Sequence, residues 1–463
     1  MNYLVIFRKA WLLVYMNILL AIVILGLLIL VHEFGHFILA KANGVVVLEF
    51  AIGFGPKLLH FKKNDTEYCL KLIPFGGYCL MLGNELIEAA KEDEEDEEEK
   101  DSKYKNLLKQ YDESRTYNNK PVWARIAIEL AGPFFNFILA FVGAIVVIGS
   151  VGVDPCRIDV VQENSPASAA GLQVGDEIVS INKDKMSFAR EYFFYNSYHE
   201  GETMDIVYKR NGEEFNTTVT PEYVTNSSYM LGVVVTNNTL IDSIVENSAA
   251  AEAGLKKGDI VVSLDGKKIT NELTLTDILK ETKARTIDVV INRDGATQTL
   301  QVTPKLVENS GYVTGMSCYG NRIKVGPAAT IGNAFKEVGY WIEVVVKSVG
   351  MMFTGKVGVN DLSGPVGIVD AVSTVVEESR QDGAWYVFLN VTNFIVMLSA
   401  NLGVMNLLPI PGLDGGKLLF LIIEVLRGKP IKKEHEGIVH LVGMVLLMIL
   451  AVYVFVKDIV NLF

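Results

Sequence analysis

Two histidines and a glutamate stand at the end of the first long apolar block of the chain. Residues 12–31 carry no charge, and His32-Glu33-Phe34-Gly35-His36 follows directly. On a helix, the two imidazoles lie four residues apart on one face, with the Glu33 carboxylate beside them. Two such imidazoles can hold Zn²⁺, and the carboxylate can take a proton from its bound water. The motif predicts a zinc hydrolase in which His32 and His36 are ligands and Glu33 is the general base.

A third ligand is expected from a distant part of the chain, because a catalytic zinc takes three protein ligands and keeps one position for water. The third apolar block ends in residues 406–416, which contain Pro409, Pro411 and Asp414. Consecutive spans alternate in direction, so the ends of the first and third spans face the same side of the membrane. The prolines break the helix there, and irregular backbone at membrane depth is tolerated where it lines a polar cavity. Asp414 is therefore predicted to meet the two histidines at one depth.

Four uncharged, apolar blocks predict four membrane-spanning helices, at residues 12–31, 130–153, 384–413 and 437–456. Each block is long enough to cross roughly 30 Å of hydrocarbon. Lys and Arg residues between the first and second blocks, and between the third and fourth, place both connections in the cytoplasm. Residues 154–383 then lie outside, and the metal site lies near the cytoplasmic side. A net charge of −12 and an apolar content of 50% argue against nucleic-acid binding and against a disordered chain.

The long stretch outside the membrane repeats itself at an offset of 83 residues. Residues 170–176 read Ala-Gly-Leu-Gln-Val-Gly-Asp, and residues 253–259 read Ala-Gly-Leu-Lys-Lys-Gly-Asp. This pattern resembles PDZ domains of the bacterial protease type, which bind extended peptide ends at a sheet edge. The resemblance implies two small β/α domains. Binding of peptide C-termini and simple restriction of access to the membrane site both remain open at this point.

Further motifs carry a resemblance to a known family. Residues 132–136 read Gly-Pro-Phe-Phe-Asn, residues 52–56 and 73–78 are rich in glycine and proline, and residues 362–368 read Leu-Ser-Gly-Pro-Val-Gly-Ile. Together with the His-Glu-x-x-His and Leu-Asp-Gly motifs, they make the chain resemble the site-2 protease family of intramembrane zinc metalloproteases. The resemblance is closest to the bacterial regulator of sigma E protease group, and it covers nearly the whole chain.

The resemblance implies roles for individual residues. His32, His36 and Asp414 would be ligands of one zinc ion, Glu33 would be the general base, and Asn136 and Asn406 would support the substrate or the transition state. It further implies the bacterial inner membrane as location. The implied substrates are single-span membrane proteins, either anti-sigma factors or remnant signal peptides. One position departs from the family, which often has His where this chain has Lys417, but that position is not a ligand.

Residues 66–82 are rich in β-forming residues, and Pro74 with Gly76-Gly77 marks a turn. A substrate helix must unwind before it is cut, and an exposed strand edge could pair with its freed backbone. Leu70 and Leu72 are the candidate residues of that edge. A two-stranded flap that only covers the site is an equal alternative.

These features predict a multi-pass α-helical membrane protein with four spans, two extracytoplasmic PDZ-like β/α domains and a membrane-associated β-hairpin. Residues 86–113 hold 12 acidic and 5 basic residues, which is typical of a solvated insert, and the four cysteines are expected to be ordinary thiols. The predicted segments are the first span (1–48), the hairpin region (49–85), the acidic cytoplasmic insert (86–120), the second span (121–152), the PDZ-like domains (153–225 and 226–308), membrane-surface linker helices (309–383), the third span (384–425), and a cytoplasmic turn with the fourth span (426–463).

The main competing hypothesis is a non-enzymatic PDZ scaffold or sensor in the membrane. It predicts that at least one ligand residue is replaced, and none is. A membrane metalloprotease with its site in a soluble domain would instead need the His-Glu-x-x-His motif away from an apolar span. Here the motif adjoins one.

Overall fold

The computed structural model describes residues 2–83, 110–236, 239–270, 274–293, 295–358 and 362–460. The chain forms two compact units. The helical unit comprises residues 1–153 and 322–463, and the repeat unit comprises residues 154–321. Most of the predicted acidic insert lies outside the described residues.

The chain begins with a long helix, a β-sheet and a second long helix. Helix α1 (Asn2–Ala42) is continuous through the His-Glu-x-x-His motif. Strands β1 (Val47–Lys63) and β2 (Thr66–Met81) follow, and helix α2 (Val122–Val151) comes after two short 3₁₀ turns. Buried side chains of α1, the sheet and α2 form one apolar core. This core ties the sheet to α1, which carries the motif, and to α2.

The two strands fold into a sheet of four segments, because each long strand bends. Residues 47–52 pair with 77–81 on one side, and residues 49–52 also pair with 67–70 on the other. Residues 57–63 pair with 66–71. β1 bends between these segments at Gly53 and Gly55. Their φ angles of 85° and 86° lie in the region that residues with a Cβ rarely adopt. The outer segments of the sheet are therefore 57–63 and 77–81.

The predicted edge position of Leu70 is wrong. Leu70 pairs with Ile52 on one side and with Leu59 on the other, so it lies on an inner segment. Leu72 continues that segment, between Lys71, which pairs with Lys57, and Ile73, which pairs with Phe54. Sequence composition indicated strands here, but it could not show that β1 would bend back and cover the second side of β2.

The repeat unit contains two copies of the same order of elements. The first repeat holds β3 (Val160–Val161), α3 (Pro166–Ala169), β4 (Glu177–Ile181), β5 (Asp184–Lys185), α4 (Ala189–Tyr198), β6 (Met204–Arg210), β7 (Glu213–Val219) and β8 (Glu222–Met230). After β9 (Val233–Thr236), the second repeat holds β10 (Leu240–Ile244), α5 (Ala249–Glu252), β11 (Ile260–Leu264), β12 (Lys267–Lys268), α6 (Leu275–Thr282), β13 (Ile287–Arg293) and β14 (Ala296–Val302). Strands β15 (Lys305–Val313) and β16 (Met316–Ser317) follow. Each repeat has its own buried apolar core.

The second repeat is inserted into the first. β9 pairs with β10, the strand that follows it in the chain. The corresponding place beside β3 in the first repeat is taken by β16, which comes after the whole second repeat. At the entry and exit of the insertion, β8 and β15 pair with each other along their full length. The repeat unit therefore extends to residue 321, beyond the boundary at 308 that the sequence predicted.

Each repeat carries the same buried ion pair. Asp176 and Asp259 are each 1% exposed. Arg210 donates two hydrogen bonds of 2.7 Å to Asp176, and Arg293 does the same to Asp259. This ion pair explains the Gly-Asp signature of the repeat. In the first repeat, the aspartate ties the loop before β4 to the end of β6, and in the second it ties the loop before β11 to the end of β13.

The remaining described residues form mainly helices. These are α7 (Pro327–Thr354), α8 (Pro365–Ser379), α9 (Ala384–Leu407), α10 (Asp414–Arg427) and α11 (Lys433–Val460). Four helices among the described residues are long and apolar enough to cross a membrane, namely α1, α2, α9 and α11. They coincide with the four predicted spans, which supports a multi-pass membrane protein.

Helix α7 packs on the predicted spans, which the sequence did not indicate. Ala334 and Val338 of α7 are buried against Ala140 and Ala144 of α2 and against α9. The scattered charges of this segment suggested linker helices at the membrane surface. One of those charges, Glu337, is buried and accepts a hydrogen bond from the Trp341 indole. Because the Trp341 indole satisfies this buried carboxylate within α7, the helix can bury an apolar face despite its charges.

Candidate metal centre

Helix α1 presents the two histidines on one face, as their spacing requires. His32 and His36 are 7% and 5% exposed, and their Nε2 atoms lie 3.2 Å apart. His36 Nδ1 donates a hydrogen bond of 2.8 Å to the Ile128 carbonyl of α2. This bond fixes the proton on Nδ1, so Nε2 carries the free electron pair that a metal needs.

Asp414 meets the two histidines, as their places in the chain predicted. It is the first residue of α10. Its Oδ2 lies 3.0 Å from His32 Nε2 and 3.3 Å from His36 Nε2. This buried oxygen has no hydrogen bond of good geometry to either ring. Two imidazole nitrogens and a carboxylate oxygen that face one point are a donor set suited to Zn²⁺. The residues present therefore fit the metal that the sequence motifs indicated.

Glycines allow the helices to approach closely at this point. A Cβ on Gly132 of α2 would lie under 3.0 Å from His36 Nε2 and from His32 Cε1. A Cβ on Gly35 of α1 would lie equally close to the Ala131 carbonyl. Sequence reasoning missed Gly35. Its signal was available, since a glycine inside a helix costs about 1 kcal/mol relative to alanine and needs a compensating reason.

The N-terminus of α10 is also closely packed. Cβ atoms on Gly415 and Gly416 would come under 3.0 Å from backbone carbonyls of residues 407–410. Further along α10, Glu424 binds Arg125 of α2 through two N–H donors, at 2.5 and 3.1 Å. Lys417 lies 3.8 Å from Glu129 of α2, which is almost fully buried. These ion pairs attach the helix that begins with Asp414 to α2, and sequence reasoning missed them.

The remaining predicted site residues lie in different surroundings. The amide of Asn136 is buried on α2, with its nitrogen 3.1 Å from His32 Nδ1 and its oxygen without a partner. Glu33 is half-buried, and Gly77 of the outer sheet segment is close enough that a Cβ there would touch its side chain at 3.8 Å. Asn406 is half-buried in the last turn of α9. The roles of these three residues stay predictions.

A second group of metal-ligand residue types lies in the sheet, formed by Glu49, Glu67 and Cys69. Here lysines already neutralise the carboxylates. Lys71 lies 3.0 Å from Glu49, and Lys57 lies 2.8 Å from Glu67. Burial raises the pKa of the Cys69 thiol to about 11, so the thiol keeps its proton at neutral pH. The chemistry of this group does not fit a metal, unlike that of the centre on α1.

Known proteins resemble the chain over nearly its full length. The model of peptidase family M50 matches residues 20–450. The zinc metalloprotease RasP of Bacillus licheniformis is 31% identical, covering 96% of this chain and 98% of that protein. The regulator of sigma-W protease RasP of Bacillus subtilis is 29% identical, with the same coverage of 96% and 98%. The regulator of sigma-E protease RseP of Salmonella typhimurium is 29% identical over 93% of this chain and 95% of that protein.

Among solved structures, the PDZ domain of an SdrC-like protein from Listeria monocytogenes is 23% identical to part of this chain. The similarity covers 15% of this chain and 72% of the chain in that structure, with a TM-score of 0.14. The family match extends through both halves of the helical unit and includes the histidines, the glutamate and Asp414. The chain thus belongs to peptidase family M50, the site-2 protease family, and is a metalloprotease.

Proposed function

We propose that this protein is an intramembrane zinc endopeptidase that cuts single-span membrane proteins in or next to their membrane segment. One observation carries the proposal: His32 Nε2, His36 Nε2 and Asp414 Oδ2 converge on one point, and His32 and His36 lie on a helix that is long and apolar enough to cross a membrane. His32, His36 and Asp414 would hold one zinc ion. When bound, the ion would supply Lewis-acid chemistry, activating water and polarising the peptide carbonyl.

Glu33 would move the proton in this reaction. Glu33 follows His32 on α1, so its carboxylate would lie beside the proposed metal ligands. It would accept a proton from the attacking water and return it to the leaving amine of the cut peptide. The Glu33 side chain is half-buried and close to Gly77, so in this proposal it would lie between the ligands and a peptide bound at the sheet.

Asn136 would hold His32 in the tautomer that binds a metal. If its amide turns by half a rotation, the partnerless oxygen accepts the Nδ1 proton of His32, and Nε2 is left with its electron pair. Asn406, in the last turn of α9, would support the substrate or the transition state.

The outer sheet segment 77–81 would present the substrate. It is an edge of the sheet, and its Gly77 lies next to Glu33. A substrate backbone that has unwound in the membrane must find new hydrogen-bond partners, and a strand edge offers them. Residues 77–81 replace Leu70 and Leu72 in this role. The opposite edge, residues 57–63, provides an internal comparison.

The edge hypothesis predicts different outcomes for proline at the two edges. Leu80→Pro is expected to reduce cleavage about tenfold, because proline donates no backbone hydrogen bond and distorts the edge. Leu59→Pro, at the far edge, is expected to leave at least half of the activity. Cleavage rates of a single-span substrate in detergent measure both. Equal rates for the two variants would reject substrate pairing at residues 77–81.

The substrates are proposed to be anti-sigma factors or remnant signal peptides. Two relatives, the regulator of sigma-W protease RasP and the regulator of sigma-E protease RseP, support the first class by their names. The repeat unit would lie outside the bacterial inner membrane, with the metal site near the cytoplasmic side. Its two PDZ-like repeats would limit access to the site or bind peptide C-termini.

The decisive experiment is cleavage of a model single-span substrate by detergent-purified protein. Glu33→Gln is expected to reduce kcat by about 10²–10⁴-fold, the usual contribution of a general base. His32→Ala is expected to lose bound zinc, whereas His435→Ala, at an exposed position of α11, should keep both zinc and activity. A zinc chelator should stop the wild-type reaction. Cleavage by Glu33→Gln at the wild-type rate would overturn the proposed mechanism.

A further inference from the structure

The position of Asp414 depends on a short turn, residues 408–413, that joins α9 to α10. Within it, Ile410 N donates to the Leu408 carbonyl and Leu413 N donates to the Ile410 carbonyl. Asp414 follows at once as the first residue of α10. Any displacement of the turn therefore displaces the carboxylate that faces the two histidines.

The fourth candidate span, α11, contacts this turn directly. Gly412 N donates a hydrogen bond of 3.0 Å to His440 Nδ1. Three residues further along α11, a Cβ on Gly443 would lie under 3.0 Å from the Pro411 carbonyl oxygen. A histidine that accepts a hydrogen bond and a glycine that allows close approach thus fix the turn against one face of α11.

His440 is built into the structure rather than pointed at lipid. It is 7% exposed, whereas its neighbour Leu441 is 57% exposed. Its ring lies 5.4 Å from the ring of Phe420 in α10, measured between centroids. His440 therefore contacts both the turn before Asp414 and the helix that Asp414 begins. A polar side chain within a span is costly unless it is hydrogen-bonded, and it usually has a function.

We propose that His440 is a positioning residue of the metal centre. Together with Gly443, it holds the turn of residues 408–413 in the position that brings the Asp414 carboxylate to His32 and His36. The inference rests on the proposed zinc site. Such a role matters because a functional group must be held to within about 0.5 Å of its productive position.

The test compares variants that differ only in the proposed contact. His440→Leu has no acceptor, whereas His440→Asn keeps one near the position of Nδ1. In Gly443→Ala, the added methyl group would clash with Pro411 and force α11 and the turn apart. In Gly437→Ala, the methyl group has no atom within 4 Å. His435→Leu, at an exposed position of the same helix, controls for loss of a histidine.

Three assays are run on the full-length protein in detergent. They measure zinc retained per chain against rising chelator, thermal unfolding, and the kcat and KM for a single-span substrate. For His440→Leu and Gly443→Ala, zinc is expected to be lost at about tenfold lower chelator, with kcat reduced about 10–100-fold. KM is expected to stay within about twofold, because the substrate edge is untouched. His440→Asn and both controls are expected to stay close to wild type.

Two results would overturn the inference. One is wild-type zinc retention and kcat in both His440→Leu and Gly443→Ala. The other is an equal loss in His440→Leu and His440→Asn, since a hydrogen-bond acceptor would then be irrelevant. If His440→Leu does not unfold cooperatively, the pair Gly443→Ala and Gly437→Ala decides the question. A wild-type protein that binds no zinc would instead overturn the proposed function, so the two failures are distinguishable.

Discussion

Asp414 in the helical unit and Asp259 in the repeat unit both have buried carboxylate oxygens, but their partners differ. Asp259 accepts two hydrogen bonds from Arg293 and one from Lys256 N, all between 2.7 and 2.8 Å. Asp414 Oδ2 faces two ring nitrogens and has no hydrogen bond of good geometry. Buried polar groups are normally satisfied, so an unsatisfied one indicates a missing partner. The satisfied aspartate stabilises its domain, and the unsatisfied one is available to a metal.

The largest expected effect separates these two aspartates. Asp414→Ala should lower the cleavage rate more than about 100-fold, because loss of a ligand exceeds the loss caused by outer-shell residues. It should leave the repeat unit intact. Asp259→Ala should instead weaken the second repeat by about 1–3 kcal/mol, because Arg293 loses its charged partner. Zinc content and cleavage rate, together with hydrogen exchange of β11 and β13, measure both effects. The contrast fails if Asp259→Ala loses zinc or if Asp414→Ala keeps it.

A second prediction concerns the space around the two histidines. Gly132→Ala should reduce both zinc binding and cleavage by about tenfold or more, because the added methyl group occupies the place of the ligand atoms. Gly149→Ala, on the same helix, places its methyl group at an ordinary contact distance of 3.9 Å from Thr330. It should behave like the wild type in the same zinc and cleavage assays. A harmless Gly132→Ala would show that the ligands can move aside without loss.

The smallest predicted effect is a dependence of repeat stability on pH. Hydrogen bonds from Arg293 lower the pKa of Asp259 below its usual value, although burial acts in the opposite direction. The unfolded chain therefore binds this proton more readily than the folded one. The stabilisation is complete above the ordinary aspartate pKa of about 4 and is lost as the pH falls through the folded-state value.

Hydrogen exchange of β13 in the full-length protein, measured between about pH 6 and pH 3, tests this dependence. Exchange corrected for its intrinsic rate should show less protection as the pH falls. Arg293→Gln should flatten the profile, since it removes the hydrogen bonds that contribute most to lowering the pKa of Asp259. A profile unchanged by Arg293→Gln would assign the dependence to other carboxylates.

The grouping of His32, His36 and Asp414 was largely predictable from sequence because the proposed ligands obey simple rules. Helical spacing placed His32 beside His36, and alternating spans placed Asp414 at their depth. The packing that holds them was not predictable. The close approach at Gly35 and the ion pair of Arg125 with Glu424 depend on how helices from distant parts of the chain meet. Local composition contains no information on such contacts.

The β regions show the same limit. Composition indicated strands around Leu70, but a bend in β1 covers the side that was expected to be free. The 83-residue repeat was evident from sequence, whereas the return of β16 to the first repeat was not. Strand order within a sheet is set by contacts between distant residues. Because the two repeats share one order of elements, their sequences leave open which of them a connecting strand joins.

The insertion of the second repeat has a consequence for biosynthesis. The ribosome releases the chain from its N-terminus, and domains generally fold as units while they emerge. β9 through β14 are all present once residue 302 has been made, but β3 must wait for β16, at residues 316–317. The repeat that is translated first is therefore completed last. Until then, its β3 edge is an unpaired strand that is open to wrong partners.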